Sequence, residues 1–160
     1  MNESDRRSAA LAEARSWLGT PYRHMGRIKG VGADCATFPA AVYAAIGAIP
    51  EVEIEFYPPD WHLHRGEEKY LARVMQFAVP VDAPLPGDFV LWRVGRAFAH
   101  GAIVIAWPRI IHAAIGIGVI EDDGVAPTLA FGRRTGRREH RFFSLWPAPH
   151  PDPPPQGGRE

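Results

Sequence analysis

Apolar residues recur at helical spacing in three stretches of the first half of the chain and condense into short β-like runs in the second half. In the first stretch Ala10, Ala14, Trp17 and Leu18 share one helical face, Ser4 or Asp5 is placed to cap it, and Gly19 with Pro21 stops it. The second follows Asp34 through Phe38, Val42, Tyr43 and Ile46 and ends at Gly47. Pro39 removes one backbone hydrogen bond there and crowds the carbonyl four residues back. The expected result is a distorted first turn that still starts at Asp34 as N-cap. The third, Glu67–Phe77, turns Tyr70, Leu71, Val74 and Phe77 to one side, after an irregular span from 50 to 65. Beyond residue 86 the segments 88–93, 101–106, 110–114, 117–121, 127–131 and 140–145 read as strands rich in Val, Ile and Phe. Helices first and strands later predict an α+β domain, its N-terminal helices packed on an antiparallel sheet.

Composition sets the bounds of that domain. A chain of 160 residues with 46% hydrophobic residues is one domain with a real core. The proline-dense run from Pro147 has little to bury, which divides the chain into a domain over 1–147 and an extended tail over 148–160. The formal net charge is zero, so no broad attraction to nucleic acid or anionic lipid is implied. No apolar run has the length of a signal peptide or a membrane span. The expectation is a monomer made in the cytoplasm, neither inserted in membrane nor bound to nucleic acid.

Cys35, the only cysteine, stands at the start of the second predicted helix, where unpaired N–H groups and the positive dipole end favour thiolate over thiol. A lone cysteine is also a good small core hydrophobe. A cysteine nucleophile needs a base to take its proton and a third group to orient that base. His100 at the entrance of one predicted strand and His112 inside the next supply candidates. A hairpin reversing near Ala106-Trp-Pro-Arg109 brings the two histidines side by side, give or take a register step.

Five segments in order carry a resemblance: Trp17-Leu-Gly-Thr-Pro-Tyr-Arg23, Ala33-Asp-Cys35, Pro86-Gly-Asp-Phe-Val-Leu-Trp92, His100-Gly-Ala-Ile-Val104 and Ile111-His-Ala113. Together they resemble the NlpC/P60 family of papain-like cysteine peptidases, most of which cut peptide stems of bacterial murein. The resemblance implies a papain-like fold with Cys35 as nucleophile at a helix N-terminus, His100 as base and later acid, and His112 as the orienting residue. It also implies that the Tyr22 hydroxyl faces the thiol and that the Cys35 N–H forms part of an oxyanion hole. The chain departs from the family in the loop His24-Met-Gly-Arg-Ile-Lys-Gly-Val-Gly32 and in Ala36-Thr37 after the cysteine.

The function implied is hydrolysis of an amide bond in peptidoglycan stem peptides, of the D-glutamyl–diamino acid type, without a cofactor. Tyr22, His24, Asp34 and Trp61 are the expected substrate-side residues. The missing leader suggests delivery to the cell wall by a phage or prophage tail, with tail proteins as partners. Two alternatives stay open: a tail assembly protein that keeps the fold without catalysis, and a papain-like amidase or acyltransferase on another substrate. His62 and His64 are imidazole ligands suited to zinc, but one cysteine and no second close-spaced ligand pair do not complete a four-coordinate site, and no metal is expected. Arg133-Arg134 and Arg137-Arg138 read as a solvated hairpin tip, Asp88 as part of a turn entering a strand, and His140 and His150 are given no role.

Overall fold

A computed structural model describes residues 1–59, 68–125 and 138–146. Helix α1 spans Glu3–Ser16. Its cap is Asn2, two residues before Ser4 and three before Asp5, because the Asn2 side chain accepts from the Asp5 N–H at 2.8 Å. Ala10 and Ala14 are fully buried, and these small side chains let the helix lie close to its neighbours. Trp17 is also buried, but Leu18 is 42% exposed, contrary to the sequence pattern. The helix has already ended at Ser16, and the turn through Gly19, at φ +86°, points Leu18 outward.

The loop after α1 holds a two-residue hairpin that periodicity could not signal, β1 (Arg27–Ile28) paired with β2 (Gly32–Ala33). Helix α2 is regular over Thr37–Ala45, two residues after the expected cysteine-bearing start. It buries Phe38, Val42 and Tyr43 and ends before Gly47, whose φ is +71°. Helix α3 covers Lys69–Met75, and Tyr70, Leu71 and Val74 pack on the core from it.

Six strands form one antiparallel sheet in the order β3-β8-β4-β5-β6-β7. They are β3 (Val79–Val81), β4 (Phe89–Val94), β5 (Ala97–Ala106), β6 (Arg109–Ala114), β7 (Gly118–Asp123) and β8 (His140–Ser144). The expected strand at 127–131 and the tail from 147 onward lie outside the described residues. The fold is therefore α+β, N-terminal helices on an antiparallel six-stranded sheet. Phe89, Leu91, Ile103, Ile111 and Phe143 meet the helices on one face. Val90, Trp92, Ala102, Val104 and Ile110 build a second cluster with Trp107 and Phe142 on the other. Period-two alternation sorts the strand residues between these faces.

An ion pair ties α1 to the sheet. Arg7 Nη1 lies 2.8 Å from Asp88 Oδ1 and 3.0 Å from the Pro86 carbonyl oxygen, and the Asp88 side chain also accepts from the Leu85 N–H at 2.8 Å. Asp88 is 1% exposed, which accords with the turn role read from its sequence context. At the edges, β3 carries Pro80, while residues 19–20 run along β7 through Gly19 N–H to Val119 O at 3.0 Å and Val119 N–H to Thr20 O at 2.9 Å. Gly118, at φ +115°, is required there, since a Cβ would strike the Thr20 carbonyl. Among the described residues no helix is long and apolar enough to cross a membrane.

Candidate active site

Asp34 organises the turn that carries the cysteine. Its Oδ1 accepts from the N–H groups of Ala36 and Thr37, both at 2.9 Å, and Oδ2 accepts from Met25 N–H at 2.7 Å. The Tyr57 hydroxyl donates to the same Oδ2. The Asp34 N–H donates to Thr37 Oγ1 at 2.8 Å. Asp34 thus caps a two-residue turn ahead of the regular helix, the distortion that Pro39 foretold. At 1% exposure its carboxylate is committed to the protein interior.

Cys35 occupies that turn and keeps part of its surface in solvent. Its Sγ donates to the Ala99 carbonyl at 3.4 Å, and the Tyr70 hydroxyl donates to the Cys35 carbonyl at 2.7 Å. The sulfur therefore touches β5 beside His100. The ladder between β5 and β6 runs from Ala106 opposite Arg109 to Ile103 opposite Ile111 and continues no further toward residue 99. Gly101 keeps this approach open, because a Cβ on it would collide with the Phe89 ring and the Tyr70 hydroxyl.

Desolvation of the thiol, reinforced by the negative charge of Asp34, pushes its pKa up to about 12. The N–H groups of Gly101 and of Cys35 itself and the Tyr22 hydroxyl oppose that rise by donating toward sulfur. Burial therefore acts against the resting thiolate expected from the sequence. That expectation relied on a helix dipole, but regular α2 begins only at Thr37 and enclosure of the sulfur outweighs what the dipole offers.

His100 and His112 meet as expected: His100 Nε2 lies 2.8 Å from His112 Nδ1, with the rings nearly perpendicular at 82°. The register places His112 diagonally from His100 on the same face, a step from the directly opposed arrangement. Both are buried, at 4% and 0% exposure. Burial holds His100 well below the usual imidazole value, helped by the neighbouring His112 and by the Arg138 charge. His112 is also lowered by burial, against the opposing pull of Asp122. Trp92 stands opposite His100 in the ladder, with ring centroids 5.9 Å apart.

Asp122 was not anticipated. Its Oδ2 is 3.0 Å from His112 Nε2, and its Oδ1 accepts from the Asp123 N–H at 2.8 Å. The residue follows Ile120, the register partner of His112, by two positions, so only the β6–β7 pairing reveals it. Tyr70 was assigned to the apolar core face and proves to hold the cysteine main chain as well.

The remaining expected residues divide. Tyr22 lies at the sulfur, and its own pKa is raised by burial and by the charges of Cys35 and Asp34. His24 Nε2 donates to the Tyr57 carbonyl at 2.7 Å, with its Nδ1 3.7 Å from Asp34 Oδ2, so it helps to clamp the entrance loop to residue 57. Trp61, with His62 and His64, falls outside the described residues, as do His150, Arg133, Arg134 and Arg137. His140 packs its ring 5.2 Å from Trp107 and 5.1 Å from Phe142. Among the described residues no group of three or more His, Cys, Asp or Glu side chains is arranged to hold a metal ion.

The model of the NlpC/P60 family matches residues 19–128. Among solved structures, the NlpC/p60 domain of the peptidoglycan hydrolase SagA aligns at 24% identity and a TM-score of 0.50, over 73% of this chain and 88% of that one. The peptidoglycan hydrolase RipB from Mycobacterium tuberculosis aligns at 15% identity and a TM-score of 0.57, over 92% and 70%. NlpC1 from Trichomonas vaginalis aligns at 15% and 0.57, over 89% of this chain and 44% of its own. At these identities the structures speak to the fold alone. No curated protein sequence matches the chain.

Proposed function

Because the chain belongs to the NlpC/P60 family, we propose that it is a cysteine peptidase that hydrolyses an amide bond in peptidoglycan stem peptides, with Cys35, His100 and His112 in the roles of nucleophile, base and orienting residue. The observation that carries this reading is the seat of the Cys35 sulfur against the main chain at Ala99 and Gly101, the two neighbours of an imidazole that is itself fixed by His112. Membership of the NlpC/P60 family, matched over residues 19–128, supports the substrate class.

In the proposed resting state the thiol, raised by burial, and the imidazole, lowered by burial, are both neutral. In the proposed reaction His100 takes the thiol proton as sulfur attacks the scissile carbonyl carbon, so general-base transfer accompanies bond formation. The N–H of Cys35 is the expected donor to the tetrahedral oxyanion. His100 then returns the proton to the leaving amine, the C–N bond breaks, and water hydrolyses the thioester. Tyr22 donates toward the sulfur as its charge develops. The D-glutamyl–diamino acid bond is the proposed target. Delivery by a phage or prophage tail belongs to the same proposal and is carried by no residue of the site; tail-protein genes next to the coding gene would test it.

Purified protein incubated with disaccharide-tetrapeptide muropeptides should release a dipeptide containing the diamino acid, and Cys35→Ala should fold and release none. Equal release by both proteins would remove Cys35 from the chemistry.

A further inference from the structure

We propose that Asp122 is a positioning residue that fixes which ring nitrogens of His100 and His112 carry hydrogen, so that His100 presents an unprotonated Nδ1 as the base for Cys35. The inference rests on the peptidase reading for its consequence in catalysis, and on hydrogen-bond logic for the tautomers themselves.

An ionised carboxylate only accepts. His112 Nε2, 3.0 Å from Asp122 Oδ2, must then carry hydrogen. A neutral imidazole has one donor and one acceptor, so His112 Nδ1 is the acceptor. His100 Nε2, 2.8 Å away, must be the donor, which leaves the hydrogen off His100 Nδ1. Reversing the first step reverses the chain. If the group at position 122 donates instead, His112 Nε2 accepts, His112 Nδ1 donates, and His100 carries hydrogen on Nδ1, where it cannot take a proton from the thiol.

Several features equip Asp122 for this. The Asp123 N–H at 2.8 Å holds Oδ1 and so aims Oδ2 at the imidazole. The β6–β7 ladder is unbroken from Arg109 opposite Asp123 to Ala114 opposite Gly118, which fixes the distance between the strands. The side chain of Asp122 is 27% exposed and the His112 side chain 0%, so the carboxylate remains hydrated while its partner does not. Among the described residues the Arg138 charge also reaches His100.

The test compares wild type, Asp122→Asn and Asp122→Glu, each with nitrogen-15-labelled histidine. Long-range proton–nitrogen spectra read the hydrogen on each ring nitrogen without any need for activity. Wild type and Asp122→Glu should show hydrogen on Nε2 of both rings, while Asp122→Asn, able to donate through its amide, should move a fraction of His100 to the Nδ1–H form. On a muropeptide substrate Asp122→Asn should lose between about 10² and 10⁴ in kcat with little change in KM, and Asp122→Glu should recover most of it. Identical ring-nitrogen spectra for wild type and Asp122→Asn would overturn the proposal, as would equal kcat. Equal impairment of the Asn and Glu variants would also overturn it, since shape and not acceptor charge would then matter. A wild type that cleaves nothing would sink the peptidase reading, and the spectra would still decide the role of Asp122.

Discussion

Alkylation of Cys35 by iodoacetamide as a function of pH probes the resting thiol directly. With its pKa pushed up to about 12 against an ordinary value of roughly 8.5, Cys35 at neutral pH holds about three orders of magnitude less thiolate than a free cysteine, a difference of about 4–5 kcal/mol at 1.36 kcal/mol per unit. Solvent at the exposed part of the residue trims that figure, so a slowing of at least about tenfold is the floor expected. The native protein should therefore label more slowly at pH 7.5 than the same protein in urea, and its rate should climb through pH 9 without a plateau. His100→Ala should leave this profile unchanged while abolishing cleavage, because a buried imidazole held well below its usual value is neutral wherever the thiol titrates and lends it no positive charge. Tyr22→Phe removes a donor to sulfur and should slow labelling further. The same shift enters stability. The folded thiol binds its proton more tightly than the unfolded one, so this contribution is complete below about pH 8.5 and is lost as pH rises toward 12. Native labelling that levels off below pH 8, or that outpaces labelling in urea, would show a preformed thiolate and refute the reasoning.

Three further outcomes are expected. Gly101→Ala drives a methyl into the Phe89 ring and the Tyr70 hydroxyl, costing about 1–3 kcal/mol in urea melts and reducing turnover by moving the hydroxyl that holds the Cys35 carbonyl; an unchanged midpoint and rate would show that the strand accommodates it. Arg7→Ala leaves the Asp88 carboxylate buried without its cation and should destabilise by about 3–5 kcal/mol, whereas a loss below about 1 kcal/mol would make the pair incidental. The lowered imidazoles mean that the unfolded chain takes up protons first, so stability is complete above about pH 6.5 and falls on acidification by up to about 1.4 kcal/mol per pH unit for each ring kept neutral. Urea midpoints from pH 7.5 to 5 measure this, and His100→Gln should flatten the decline; equal slopes would contradict it.

Much of the architecture could be read from residue order because local period and burial agree. Ala10 and Ala14 mark the inner face of α1, and β4 to β6 alternate or run apolar between the two clusters of the sheet. The hairpin between His100 and His112 was visible because its turn lies midway between them. The failures share a cause in tertiary structure. Strand β3 has three residues, one of them proline, and exists through its pairing with β8. Asn2 looked like an ordinary N-terminal residue until its side chain reached the Asp5 N–H. Asp122 joins the histidines through a register that periodicity does not encode. The helix start that favours a thiolate can be recognised in sequence, while the enclosure of one sulfur by Tyr22 and β5, which pushes the other way, cannot.

The treatment of the two sheet edges bears on how the protein behaves in a crowded solution. An open strand edge offers unpaired N–H and C=O groups to any other chain, and strand addition of that kind seeds aggregates. On one side β3 is short and its central proline has no hydrogen to offer. On the other, residues 19 and 20 occupy the Val119 groups from within the same molecule, and Gly118 is the position that lets them come so close. A bulkier residue at 118 would push that segment away and uncover β7, so its symptom should be loss of colloidal solubility, seen as rising light scattering at concentrations the parent protein tolerates.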